Sequence, residues 1–377
     1  MRVREAAGLA TVLLLLVLVP VLAPTPASAR DGEVVNVVPP TVTGEAVWGG
    51  TLTADGGTWD PAAVALTYRW LRDGQAVRGA TASTYRLGGH DLGTRLAVEV
   101  TATTTDGTDG TGGTGRATSA PTVRVVRAEL VNRRDPRIVG EARYGRVVTA
   151  RPGRWSTAPD RLRYRWLLGG ERVRGARSAR YRLAPGDVGR RLRVEVTAYA
   201  DGHEPATARS AAVTVRHRVD VRRTVTYSVT TRGRVTASLR EFRRQVQQTY
   251  DDARGWRGKG VRFRPVGRGG SFTVVLAEAS TVPSFSSGCS STYSCRVGRH
   301  VIINQTRWQT ATPPWNGAGR SLRDYRHLVV NHETGHWLGK GHAGCARRGA
   351  LAPVMMQQSK GTDGCRFNPW PTLAELR

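Results

Sequence analysis

Residues 330–342 read Val-Asn-His-Glu-Thr-Gly-His-Trp-Leu-Gly-Lys-Gly-His, which contains H-E-x-x-H followed by x-x-G-x-x-H. On a helix, residues four apart differ by about 40° around the axis, so His332 and His336 project from one face. Two imidazoles placed this way can reach one metal ion. Glu333 is adjacent in sequence and points beside such a metal rather than at it, which suits a proton acceptor for metal-activated water. Gly339 falls where the helix should stop, and glycine tolerates the left-handed turn that reverses the chain. His342 can then return as a third ligand, leaving a fourth position open for water. A helix that merely displays surface histidines is the plainer reading. It is disfavoured because the chain has only 8 histidines and three fall in this stretch.

The string resembles the zinc signature of the metzincin endopeptidases. The resemblance implies a tight turn beneath the metal carrying a methionine. The run Ala352-Pro353-Val354-Met355-Met356-Gln357-Gln358 is the candidate; Met355 is preferred, with Met356 left open. Gly364 to Pro371 resembles the C-terminal end of snapalysin-like secreted proteases. From about Val219 onward the chain is similar to an uncharacterised secreted family of high-GC Gram-positive bacteria with the same zinc motif. Two departures stand out. Snapalysin-like enzymes are expected to use aspartate as third ligand, where this chain has His342. Some metzincins carry a tyrosine two residues after the turn methionine, where this chain has Gln357 or Gln358, so an oxyanion would need another donor.

The net charge is +28, and all but three of the 57 basic residues are arginine, the exceptions being Lys259, Lys340 and Lys360. A GC-rich genome accounts for part of this bias. The physical consequence is attraction to anionic surfaces, such as teichoic acids, acidic lipids or nucleic acid. No nucleic-acid motif is present and the arginines are spread along strands, so anionic cell-envelope polymers are the preferred partner. Arg2 and Arg4, the apolar run Leu9 to Ala23 and Ala27-Ser28-Ala29 read as a secretory signal over residues 1–29, cut before Arg30; an uncleaved anchor is the alternative. No later segment could span a membrane. The four cysteines, Cys289, Cys295, Cys345 and Cys365, suggest two disulfides in a secreted chain. Of three possible pairings, Cys289 with Cys295 and Cys345 with Cys365 is preferred because each pair is close in sequence. A second, cysteine-ligated zinc lacks C-x-x-C spacing.

Between signal and zinc motif the chain is duplicated. Tyr68-Arg69-Trp70-Leu71, Tyr85-Arg86-Leu87, Asp91 and Val98-Glu99-Val100-Thr101-Ala102 recur as Tyr164-Arg165-Trp166-Leu167, Tyr181-Arg182-Leu183, Asp187 and Val194-Glu195-Val196-Thr197-Ala198, always 96 positions later. That length suits an immunoglobulin-like sandwich. Leu96, Val98 and Val100 alternate with Arg95, Ala97 and Glu99 as in a strand with one buried face, and Asp73-Gly74 signals a hairpin. Trp70 and Trp166 are expected in the cores, with sugar stacking as the functional alternative. The Thr/Gly/Asp-rich run Thr103 to Thr118 reads as a long hairpin loop. The copies resemble Ig-like repeats of bacterial surface proteins.

In the last region, Val225, Tyr227 and Val229 give a first strand. Ser238 to Glu241 reads as a capping box for a helix ended by Gly255. Strands follow at Val261–Phe263 and Phe272–Leu276, then a hairpin of Thr292–Val297 and His300–Asn304. Ser321 with Asp324 caps the zinc-motif helix. The order matches the upper half of a metzincin fold, which implies that the hairpin edge near Tyr293, Ser294 and Arg296 binds extended substrate. His327 is expected at the surface, about 140° from His332 around the helix. His300 has no required role.

The expected organisation is multidomain: a signal peptide (1–29), two all-β Ig-like sandwiches (30–128 and 129–216) and an α+β metzincin-like zinc-peptidase domain (217–377). The expected function is a secreted or cell-wall-associated zinc endopeptidase. Zn2+ would be held by His332, His336 and His342, with Glu333 as general base for zinc-activated water. The repeats would act as spacer or envelope-binding modules. A surface-binding protein with a vestigial or structural zinc domain is the rival of another class. A cell-wall peptide amidase shares the chemistry and differs in substrate.

Overall fold

A computed structural model describes residues 33–60, 62, 65–104 and 112–377. The expected signal segment lies outside the described residues. The chain divides into two compact units, with the break between Ala128 and Glu129.

Each repeat sets a larger sheet against a three-stranded one. In the first, Ala65–Arg72 pairs antiparallel with Leu96–Thr103, which pairs with Thr114–Thr118. The Thr/Gly/Asp-rich run does join paired strands, but it is not loop throughout as expected: Thr103 ends one strand and Thr114–Thr118 form the other, and residues 105–111 lie outside the described residues. Asp73 and Gly74 both have positive φ (43° and 80°), the conformation a two-residue hairpin demands. Arg161–Leu168 and Arg191–Tyr199 repeat the same pairing in the second copy. Trp70 and Trp166 are fully buried, and their indole N–H groups donate to the Ala82 and Ser178 carbonyls. Burial on all sides removes sugar stacking as a role for either.

The second unit also contains the C-terminal region. Arg143 of repeat 2 donates two hydrogen bonds to the Asp220 carboxylate, at 3.1 and 2.8 Å, and one to the His217 carbonyl. The region's elements are β1 (Arg223–Arg232), α1 (Leu239–Asp251), β2 (Val261–Pro265), β3 (Phe272–Ala277), β4 (Cys295–Val297), β5 (His300–Asn304), α2 (Gln305–Thr310), α3 (Pro313–Gly317) and α4 (Leu322–Trp337). The sheet order is β2-β1-β3-β5-β4. All neighbours are parallel except the edge strand β4, which runs antiparallel to β5. Phe242, Val246 and Tyr250 of α1 and Tyr325, Leu328, Val329 and Val330 of α4 pack with Val225, Tyr227, Phe263, Phe272 and Val274 in one core. The other face, Val275 and Ile302, is covered by Val282 and Cys289.

Four local expectations are corrected. The first helix ends at Asp251, and Gly255 has φ −75°, so no left-handed turn stops it. Asp252 stops it instead, its Oδ1 accepting from the Arg254 N–H and pulling the chain into a turn. The capping box is half made. Ser238 Oγ accepts from the Glu241 N–H at 3.3 Å, but the Glu241 carboxylate turns away to Arg326 of α4 at 2.6 Å. The strand expected from Thr292 starts only at Cys295, because Asn304 donates to Ser294 Oγ and the Ser291 carbonyl in place of ladder bonds.

His327, expected at the surface, is 5% exposed. It does face away from His332, but α1 occupies that side. Its Nδ1 lies 2.8 Å from Thr249 Oγ1, and Trp370 packs on the ring at 4.7 Å. Burial pushes its pKa down to about 4. Unfolded, the imidazole titrates near 6.5. Between these values the unfolded chain takes up a proton that the folded one refuses, so stability falls as pH drops from about 6.5 to 4 and then levels off, by at most about 3 kcal/mol. Urea unfolding of His327→Gln and the native chain, both in chelator, should show that slope reduced in the variant. An identical slope would place the pH dependence elsewhere.

Candidate metal centre

Helix α4 carries the motif because Ser321 Oγ caps its start by accepting from the Asp324 N–H, and Gly339, at φ +85°, turns the chain after Leu338. The helix packs against β5 and the edge strand β4, so its histidine face opens beside a sheet edge.

His332, His336 and His342 converge. Their ligating nitrogens lie within 4.8 Å of one another. The Nε2 atoms of His332 and His336 are 3.2 Å apart, and those of His336 and His342 are 3.1 Å apart. His332 Nδ1–H donates to the Val354 carbonyl at 2.8 Å, and His336 Nδ1–H to the Lys340 carbonyl at 2.9 Å. These bonds fix the tautomer, so both Nε2 atoms present lone pairs. Lone pairs at 3.2 Å repel unless a cation sits among them. Burial pushes His332 down to about 4. Burial lowers His336 and His342 as well, with Arg296 adding to the effect at His336 and Lys360 at His342. All three are therefore neutral near pH 7, the form that binds a metal. Tetrahedral nitrogen ligands at about 2.0–2.1 Å from an ion stand about 3.3 Å apart. The three residues thus fit one small divalent ion.

Glu333 is 6% exposed and lines the same cleft. Burial pushes its carboxyl up to about 8; a dication on the neighbouring imidazoles acts in the opposite sense. The cleft, about 770 Å³, is lined by Tyr293, Ser294 and Arg296 on the β4 side and by Met356, Gln357 and Lys360 beyond the turn. All three residues expected to contact substrate therefore border the centre. His300 is exposed and packs near Phe285. Disulfides join Cys289 to Cys295 and Cys345 to Cys365. The first ties the loop over the sheet to β4, and the second closes the segment that contains the methionine turn.

Met355 is the methionine beneath the helix. It is 1% exposed, and a Cβ added at Gly335 would lie 2.2 Å from its sulfur. Met356 packs instead with Ala352 and Cys365. The support for this turn is not visible in the motif. Glu375 accepts from the Val354 and Met355 N–H groups at 3.0 and 2.8 Å, holding the carbonyl that orients His332. Trp256 donates to the Asn331 carbonyl and packs against Gly335. Gln358, 1% exposed, is spent on the Pro353 and Asn368 backbone, which leaves Gln357 facing the cleft.

No curated protein matches the chain. Solved structures similar to it include three N-terminal domains of the bacteriophage RB49 highly immunogenic outer capsid protein, at 19% identity and TM-score 0.23, covering 51% of this chain and 64% of that one. An amphioxus IgVJ-C2 molecule is 12% identical at TM-score 0.21, covering 49% and 98%. The mouse nectin-like molecule 4 ectodomain is 19% identical at TM-score 0.18, covering 48% and 65%. Residues 202–372, from the last strands of repeat 2 through the candidate metal centre, match a family described as "Protein of unknown function (DUF3152)".

Proposed function

We propose that residues 217–377 form a secreted zinc endopeptidase of the metzincin type, with the two repeats as spacers or envelope-binding modules. The observation that carries this reading is the convergence of three imidazole Nε2 atoms beside a buried carboxylate, in a cleft bordered by a sheet edge. His332, His336 and His342 would hold the ion. Zinc bound there supplies Lewis acidity and makes water a usable nucleophile at neutral pH. Glu333 takes the proton of the attacking water and passes it to the leaving amine. Its burial keeps it close enough to protonation to do both. The outer edge of β4 offers backbone groups to an extended peptide without reading its sequence. In place of the tyrosine that some metzincins use, the Lys360 ammonium, 3.3 Å from Gln357 Oε1, supplies a donor in the cleft. Arg296 and Lys360 favour peptides with acidic residues near the cleaved bond.

Zinc titration tests the centre. The native chain is expected to bind one ion, and His336→Ala to lose at least about two orders of magnitude in affinity. Unchanged binding in the variant would remove the motif as the metal site.

A further inference from the structure

The duplication lets the surface charge of the two sandwiches be compared position by position. In repeat 2, Arg161 stands opposite Tyr199, Arg163 opposite Thr197, Arg165 opposite Glu195 and Leu167 opposite Arg193. Opposed residues share a face, and alternation places this face away from buried Trp166. Arg161, Arg163 and Arg193 are exposed. The same strand positions in repeat 1, 96 residues earlier, hold Ala65, Thr67 and Ala97, and Tyr199 corresponds to Thr103. Both copies keep the cross-strand pair, Arg69–Glu99 at 2.7 Å and Arg165–Glu195 at 2.5 Å. The opposing sheet of repeat 2 gains arginines as well, Arg137, Arg151 and Arg180 where repeat 1 has Thr41, Asp55 and Thr84, so charge alone does not single out this face; the guanidinium stack on Tyr199 does.

The extra cations are not spent internally. Glu195 is taken by Arg165 and Arg209. Among the described residues no carboxylate pairs with Arg161, Arg163 or Arg193. The Arg161 and Arg163 guanidinium carbons sit 3.9 and 5.4 Å from the Tyr199 ring centre. Stacking orders the guanidinium planes and leaves their N–H edges for an anion. Alternate residues on a strand are about 6.6–6.8 Å apart and neighbouring strands about 4.8 Å. The cations therefore form a flat grid and not a pocket, which matches a string of anions better than a single small one. Nucleic-acid-binding sheets stack bases on bare aromatic rings. Here the face's one aromatic, Tyr199, is already covered by Arg161.

We propose that this face of repeat 2 is a docking surface for a linear phosphodiester polymer of the cell envelope, of the polyol-phosphate type. Guanidinium forks match phosphate oxygens, and a polymer without bases needs no stacking platform. The proposal is independent of the peptidase reading.

The test is binding of a labelled poly(glycerol phosphate) to the full chain over a range of salt concentrations. Arg161→Ala, Arg163→Thr and Arg193→Ala are combined, installing the residues repeat 1 carries at those positions. A matched control, Arg137→Ala with Arg151→Ala and Arg180→Ala, removes the same charge from exposed positions on the opposing sheet. The first variant is expected to bind at least about tenfold more weakly, with the salt slope of log affinity reduced by about 2, and the control to bind like the native chain. Equal loss in both variants would reduce the effect to net charge and overturn the proposal. So would unchanged binding in the first variant, or duplex DNA binding this face as tightly at equal phosphate concentration.

Discussion

Glu333→Gln is expected to lower kcat/KM for peptide hydrolysis by about two to four orders of magnitude, the usual contribution of a positioned general base. Zinc content should not change, because the three imidazoles converge without this carboxylate. The substitution is close to isosteric in a site that is 6% exposed, so packing is kept. Burial raises the Glu333 pKa, which means that its ionised form is costly in the folded chain. The neutral amide escapes that cost, so the melting temperature should stay the same or rise. Lost activity together with kept zinc and kept stability separates a chemical role from a structural one. Activity retained in the variant would remove Glu333 as the base, and with it the rationale for a glutamate inside the motif.

Gly335→Ala is expected to destabilise the chain by about 1–3 kcal/mol, the usual cost of overpacking, and to weaken zinc binding with it. Helix propensity argues the other way, since alanine is favoured over glycine by about 1 kcal/mol in a helix interior. Sterics decide the sign. The new methyl would lie 2.2 Å from Met355 Sδ and 2.8 Å from Trp256 Cζ2. Trp256 is held by its bond to the Asn331 carbonyl, and the Met355 backbone by Glu375. Displacing Met355 also moves Val354, whose carbonyl orients His332. Truncating the partner gives the check. Met355→Ala alone opens a cavity and costs about 2–5 kcal/mol. The double variant should be destabilised by less than the two single effects together, with a coupling of about 0.5–3 kcal/mol. Strict additivity in urea unfolding would show that the two residues do not share this contact.

The convergence of His332, His336 and His342, and the helix that carries the first two, could be read from sequence because the cues are local: one helical turn, one glycine and one return. The pairing of the repeats could be read because each strand alternates and the duplication repeats every cue. What could not be read is what reaches the centre from far along the chain. Glu375 lies twenty residues beyond Met355, and Trp256 lies in a turn before β2. Neither has a spacing signal, since both act through tertiary contacts, Glu375 through two hydrogen bonds and Trp256 through one. His327 failed for a related reason. Its angle from His332 was right, but the helix wheel does not show what packs on the far side, and α1 does. The edge strand came out short because the Asn304 backbone N–H donates to Ser294 Oγ and its side-chain amide to the Ser291 carbonyl, a competition with the ladder that alternation cannot reveal.

Peptide hydrolysis at this site is tested by incubating the zinc-loaded chain with an unbiased peptide mixture and reading the products by mass spectrometry. New termini within peptide chains are expected, enriched in acidic residues beside the cut, that disappear when zinc is removed and return when it is restored. One zinc bound per chain with no cleavage of any peptide would contradict the peptidase reading.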